Sequence, residues 1–198
     1  MTKHCIVMIA LSSIAFAACS DDGGTTNENE VITTVILNFA PAVGPEVTVT
    51  WNDPDGDGGA APTIDPVRLA PGDYTMTVQL QNRLASPQVE ITEEVSEERN
   101  VHLLLFTGSA VVGPATSNAT GPLTQGYGDM DDNGLPVGLT NTIAAHAGTG
   151  QLTVTLRHMP PEEPPVKAAN TVMLVKAGGI DSIGGSTDAQ VNFTVTVQ

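Results

Sequence analysis

The chain is short of cysteine, basic residues, aromatic rings and long apolar runs, and each shortage excludes something. Its two cysteines, Cys5 and Cys19, both lie at the very start of the 198 residues. The body of the protein therefore has no disulfide framework, no cysteine nucleophile and no thiolate metal site. Lys and Arg number 7 against 22 Asp and Glu, a net charge of −15. That balance argues against binding nucleic acid or anionic lipid through charge, since both are polyanions. One Trp, two Tyr and four Phe supply little for an aromatic sugar-binding platform. The one sustained apolar run, Cys5 to Ala18, is shorter than the roughly 20 residues that span a bilayer. G-x-S-x-G, H-E-x-x-H and Gly-rich phosphate-loop patterns are missing as well, and with them the commonest hydrolase and nucleotide-binding signatures.

What is present begins with that apolar run. Lys3 and His4 precede it, and Ile14-Ala15-Phe16-Ala17-Ala18-Cys19 closes it. Small residues abutting a cysteine, followed at once by a polar stretch, resemble the lipobox at which bacterial lipoprotein precursors are acylated and cut. This reading makes residues 1–18 a lipoprotein signal peptide, Cys19 the lipid attachment site and residues 19–30 a flexible acidic tether. Phe16 occupies a position where a lipobox usually carries Leu, Ile or Val. Ala15-Phe16-Ala17 is also an ordinary A-x-A cleavage site, which would yield a secreted protein. Ser20-Asp21-Asp22 resembles a short acidic tag that sends some Gram-negative lipoproteins through the outer membrane. The expected address is thus the outer membrane, facing outward, with a periplasm-facing position as the alternative. Loss of residues 1–18 removes Lys3 and no acid, moving the net charge from −15 to −16.

From Val31 onward the pattern is β. Residues 31–39 are rich in branched side chains, Glu46 to Trp51 and Tyr74 to Gln81 alternate, and His102 to Phe106 is a continuous apolar run expected of a strand covered on both faces. Gln151 to Arg157 and Ala189 to Gln198 alternate again. Short strands between Gly, Pro and Asp turns indicate one all-β domain over residues 31–198, an antiparallel β-sandwich of Ig-like or jelly-roll-like kind. Ser86 to Arg99 carries Glu90, Glu93, Glu94, Glu97 and Glu98 and reads as a short acidic crossover, helical or irregular.

The domain also carries signs of duplication. At a constant offset of 76, Trp51–Asn82 aligns with Tyr127–His158 without gaps, pairing Asp53 with Asp129, Asp55 with Asp131 and Gly58 with Gly134. Two β-units, about 31–85 and 100–160, followed by a C-terminal strand at 187–198, are expected on this basis. Both aligned loops read D-x-D-x-[DN]-G: Asp53, Asp55 and Asp57 in the first, and Asp129, Asp131 and Asn133 in the second. Carboxylates at alternate positions of a tight loop suit calcium, a hard cation that takes six to eight oxygens. Neither is an EF-hand, because the twelfth position is Ile64 in one and Thr140 in the other. Asp-Gly and Asn-Gly also favour plain turns. Among the histidines, His102 opens one strand and His158 closes another, so a copper or zinc site between them is a further, weaker candidate.

The order Val31-Ile32-Thr33-Thr34-Val35, then Trp51 with residues 53–58, then Glu90-Ile91-Thr92-Glu93-Glu94, resembles a family of small bacterial outer-membrane lipoproteins. Gly138-Leu139-Thr140, residues 153–158 and residues 188–198 continue the resemblance. The family has no assigned activity. Members are sometimes labelled type 1 periplasmic-binding fold, which implies alternating β and α elements, and the absence of a run of amphipathic helices argues against that label here. Three functions follow, in order. The first is a non-enzymatic lipoprotein, held to the membrane by its lipid, that binds a small ligand or an outer-membrane receptor in nutrient uptake. The second is a calcium-braced structural or adhesive surface module. The third is an acid-site hydrolase.

Overall fold

Alternating branched and polar residues make the strands, and an acidic turn of helix joins them. The computed structural model describes residues 30–56, 58–162 and 164–198. The signal peptide, Cys19, the tether up to residue 29, and Asp57 lie outside the described residues. In chain order the elements are β1 (Thr34–Pro41), β2 (Val47–Asn52), β3 (Thr63–Ile64), β4 (Val67–Leu69), β5 (Gly72–Asn82) and β6 (Val89–Glu90). Then follow α1 (Ile91–Glu97), β7 (His102–Thr107), β8 (Val111–Val112), β9 (Leu123–Tyr127), β10 (Thr140–Ala145), β11 (Gly148–His158), α2 (Thr171–Gly178) and β12 (Ser186–Val197). One sheet has the order β3-β2-β1-β5-β10-β9-β8, with β6 on the end of β5, and the other β4-β12-β11-β7. Pairing is antiparallel except at β4–β12 and β8–β9. No helix among the described residues is long and apolar enough to cross a membrane.

The two sheets close face to face on a core supplied by alternate residues. Leu37 and Phe39 of β1 and Met76, Val78 and Leu80 of β5 meet Leu152, Val154 and Leu156 of β11 and Val191, Phe193 and Val195 of β12. Each such fully buried Leu or Phe contributes roughly 1.5–3 kcal/mol. β7 is covered on both sides, as its unbroken apolar run suggests. Leu104 and Phe106 face the inter-sheet core, while Leu103 and Leu105 pack outward against Met159, Val175 of α2 and Ile183. The acidic crossover is partly helical. Ile91 and Val95 are the buried ridge of α1, and the Thr92 hydroxyl accepts a hydrogen bond from the Leu80 amide at 2.8 Å.

The offset of 76 carries both ends of β5 onto both ends of β11, each an 11-residue strand that opens on a glycine. β4 and β5 lie in opposite sheets, as do β10 and β11, so both aligned corners change sheets but in opposite directions. β2 and β9 nevertheless share the larger sheet.

At the end of the core, β12 starts hard against the end of β11. Gly185 has φ +76°, and a Cβ built there would lie 2.0 Å from the His158 carbonyl oxygen. The Arg157 guanidinium closes this corner, donating to the Gly184 and Gly185 carbonyls and, at 2.6 Å, to the Thr187 hydroxyl. Gly185→Ala is expected to cost about 2–4 kcal/mol by combining a left-handed alanine with a backbone clash. Urea unfolding measures this, and a loss below about 0.5 kcal/mol would refute the close approach.

Candidate metal centre

The β7–β11 register sets His102 directly opposite His158. Both residues share the inner face with Leu104 and Leu156, at one end of the inter-sheet core. Their rings stack with centroids 4.5 Å apart and planes 13° from parallel. The His102 ring is wholly buried, with Nδ1 3.3 Å from the Glu98 carbonyl oxygen at the end of α1. In the tautomer that donates Nδ1–H to that carbonyl, Nε2 is the atom presented to the cluster, the usual means of orienting a metal-ligating imidazole.

Two acids converge on the pair. Glu30, just ahead of β1, places Oε1 3.1 Å from His102 Nε2. Asp188 places Oδ2 4.0 Å from the same nitrogen. Asp188 gets there through a β-bulge: Leu156 pairs with Ala189 and Arg157 with Thr187, so Asp188 is the extra residue on β12. Bulges of this kind re-aim side chains beside functional sites. Glu30, His102, His158 and Asp188 each offer one ligand atom, all within 4.8 Å of one another.

This group can hold a metal ion. Zinc–nitrogen and zinc–oxygen bonds of about 2.0–2.2 Å put tetrahedral ligands roughly 3.3–3.5 Å apart, so the widest pair needs to close by up to about 1.5 Å. Burial pushes the Glu30 carboxyl up, but the hydrogen bond and charge of His102, with help from Asp188, outweigh it and bring it down to about 2. Glu30 is therefore a carboxylate at neutral pH, ready to serve as a ligand. Glu94 stands nearby, its carboxyl raised by burial and by the charges of Glu30 and Glu98.

The aspartate loops fall elsewhere and differ from one another. In the second loop Asp129 accepts the Gly138 and Leu139 amides at 2.8 and 3.0 Å, and Asp131 Oδ1 accepts the Asn133 and Leu135 amides, both at 2.8 Å. Against Asp131 Oδ2, at 2.9 Å, sits the Lys167 ammonium, which also donates to the Arg99 and His102 carbonyls, each at 2.9 Å. A buried lysine thus occupies the side of Asp131 where a calcium would have to bind. Burial pushes the Lys167 ammonium down against the pull of Asp131. Burial also pushes Asp131 up, but backbone amides and Lys167 hold it below the usual range. In the first loop Asp53 accepts the Asp55 amide at 3.3 Å and Asp55 accepts the Ala60 amide at 3.0 Å. Among the described residues, no lysine or arginine is bonded to either acid there.

Of the sequence candidates, then, His102 and His158 come together, while Asp53 and Asp55 lie in one loop and Asp129, Asp131 and Asn133 in another. Glu30 and Asp188 complete the cluster without having been singled out. Glu30 sat at the end of the assigned tether, and a bulge leaves no local mark around Asp188. Comparison with protein-family models, with curated proteins and with solved structures finds no match to this chain.

Removing one partner of a buried ion pair strands the other, so Asp131→Ala should cost about 3 kcal/mol. The carboxyl of Asp131 is lowered from 3.8 on folding. Its contribution is therefore complete above that value and fades as pH falls through the lower folded one. Asp131→Asn should flatten acid unfolding below about pH 4, and an acid titration unchanged from wild type would contradict the pairing.

Proposed function

We propose that this chain is an exported, lipid-anchored, non-enzymatic β-sandwich that binds one divalent transition-metal ion between Glu30, His102, His158 and Asp188. One observation carries the reading: two imidazoles and two carboxylates, contributed by four separate segments, present ligand atoms within 4.8 Å of one another at the end of a buried core. Two nitrogens and two oxygens suit zinc or copper(II) better than calcium, which prefers oxygen alone. Four protein ligands fill a tetrahedral shell, the arrangement of a site that holds its ion and leaves no open position for chemistry. The lipid anchor and the outer-membrane address rest on the sequence around Cys19 and give the metal site a place outside the cytoplasm. Calcium at the aspartate loops is the second reading, and Lys167 beside Asp131 weighs against it in the second loop.

Calorimetry and thermal melting of the protein with zinc, copper(II), nickel, calcium and a chelator test this reading. One zinc or copper(II) per chain is expected, with about 2.7 kcal/mol of stabilisation at a hundredfold excess over Kd. His158→Gln and Glu30→Gln should weaken binding beyond the roughly 10–100-fold that a lost outer contact costs. Melting that no ion shifts in the wild type would remove the proposal, and a shift with calcium alone, lost in Asp53→Ala, would replace it with the calcium reading. The anchor is tested separately. Cys19→Ser expressed in a Gram-negative host should leave the membrane fraction, and retention there would rule out lipidation.

A further inference from the structure

We infer that Asp53 and Asp55, at the tip of the loop after β2, form the mouth through which the divalent cation is recruited to the buried centre. This inference rests on the metal-binding reading of that centre. A groove of about 540 Å³ joins the two places. Glu30 and Asp188 line it together with Asp53, Asp55, Gly56, Trp51 and Leu84. Among the described residues, four acids and no lysine or arginine line it.

Three features make the groove the path to the centre. The His102 ring is fully buried and the Glu30 side chain only 5 % exposed, so an ion reaches the imidazole from the carboxylate side. Glu30 Oε2 is buried and accepts no hydrogen bond among the described residues, which leaves a ligand-competent oxygen on a residue that lines the groove. A cleft with one sign of charge and low-dielectric walls concentrates counter-ions and raises their association rates by 10- to 10³-fold. Backbone amides hold Asp53 and Asp55 in the loop through one oxygen each. They attract a hydrated cation from solvent, while dehydration and capture occur at the imidazoles.

The test is stopped-flow uptake of zinc by the full chain, with a chromophoric chelator reporting free ion, across a range of salt. The Asp53→Asn/Asp55→Asn variant is compared with wild type and with Glu93→Gln/Glu97→Gln, which removes two charges from α1 outside the groove. The expected result is a fall of about 3- to 10-fold in the association rate for the loop variant at low salt, shrinking as salt screens the field. Stoichiometry and dissociation rate should stay at wild-type values, and the α1 variant should change by less than about twofold. Equal association rates in the two variants overturn the inference while leaving the centre intact. A faster dissociation or a lost equivalent in the loop variant overturns it too, because Asp53 and Asp55 would then be ligands. A wild-type protein that takes up no zinc removes the centre itself.

Discussion

The pairing of β7 with β11 is the constraint on which the rest of the molecule hangs. In that register Leu104 and Phe106 enter the inter-sheet core, Leu103 and Leu105 turn outward under α2, and His102 comes opposite His158. Side chains alternate with period two, so a slip of one residue would send Leu103 and Leu105 into the core and both imidazoles out of register. Apolar burial thus enforces an arrangement of polar groups that would not form for its own sake. The Lys167 ammonium reinforces it by binding the His102 carbonyl on one side and Asp131 on the other. The loop of Asp131 is in this way tied to the strand that carries His102.

The centre brings a charge problem, and its solution explains why a metal fits. Glu30, a carboxylate at neutral pH, and Asp188 both have almost no exposure, and isolated buried charge is costly. Two neutral imidazoles cannot balance buried negative charge. Protons on the rings can, and so can one divalent ion with both rings neutral. The second option also supplies bonds to every member of the cluster at once. Protons and metal therefore compete for the same nitrogens, as expected wherever ligand deprotonation and metal binding are coupled.

Much of the framework was legible in the sequence because period-two alternation is a local signal. The six strand patterns around residues 31–39, 46–51, 74–81, 102–106, 151–157 and 189–198 each overlap an observed strand, and the acidic crossover, helical or irregular by its sequence, carries α1. The short strands β3, β4, β6 and β8 are too brief to show a period. α2, with Val172, Met173, Leu174 and Val175 in succession, carries strand-like composition over a helix that tertiary packing on Leu103 and Leu105 selects. The site divides in the same way. Antiparallel strands that open and close on histidine could be seen to place them as neighbours. The contribution of Glu30 depends on how the chain enters β1, and that of Asp188 on a bulge, and neither is encoded near those residues.

The two aspartate loops show how far a motif constrains chemistry when its surroundings differ. Asp129 and Asp131 share spacing with Asp53 and Asp55, yet four backbone amides and one ammonium take up the former pair, while the latter line an acidic groove. The difference lies in what packs behind each loop. The segment bearing Lys167 crosses the second loop, whereas the entering segment with Glu30 and the bulged start of β12 flank the first. If the two loops descend from one duplicated unit, then one copy acquired an internal cation and became part of the framework. The other kept its negative face towards solvent, beside the only four-ligand cluster found among the described residues. The spacing D-x-D-x-[DN]-G thus specifies where carboxylates will gather, and the neighbouring chain decides whether they meet an ammonium, an amide or an ion from outside.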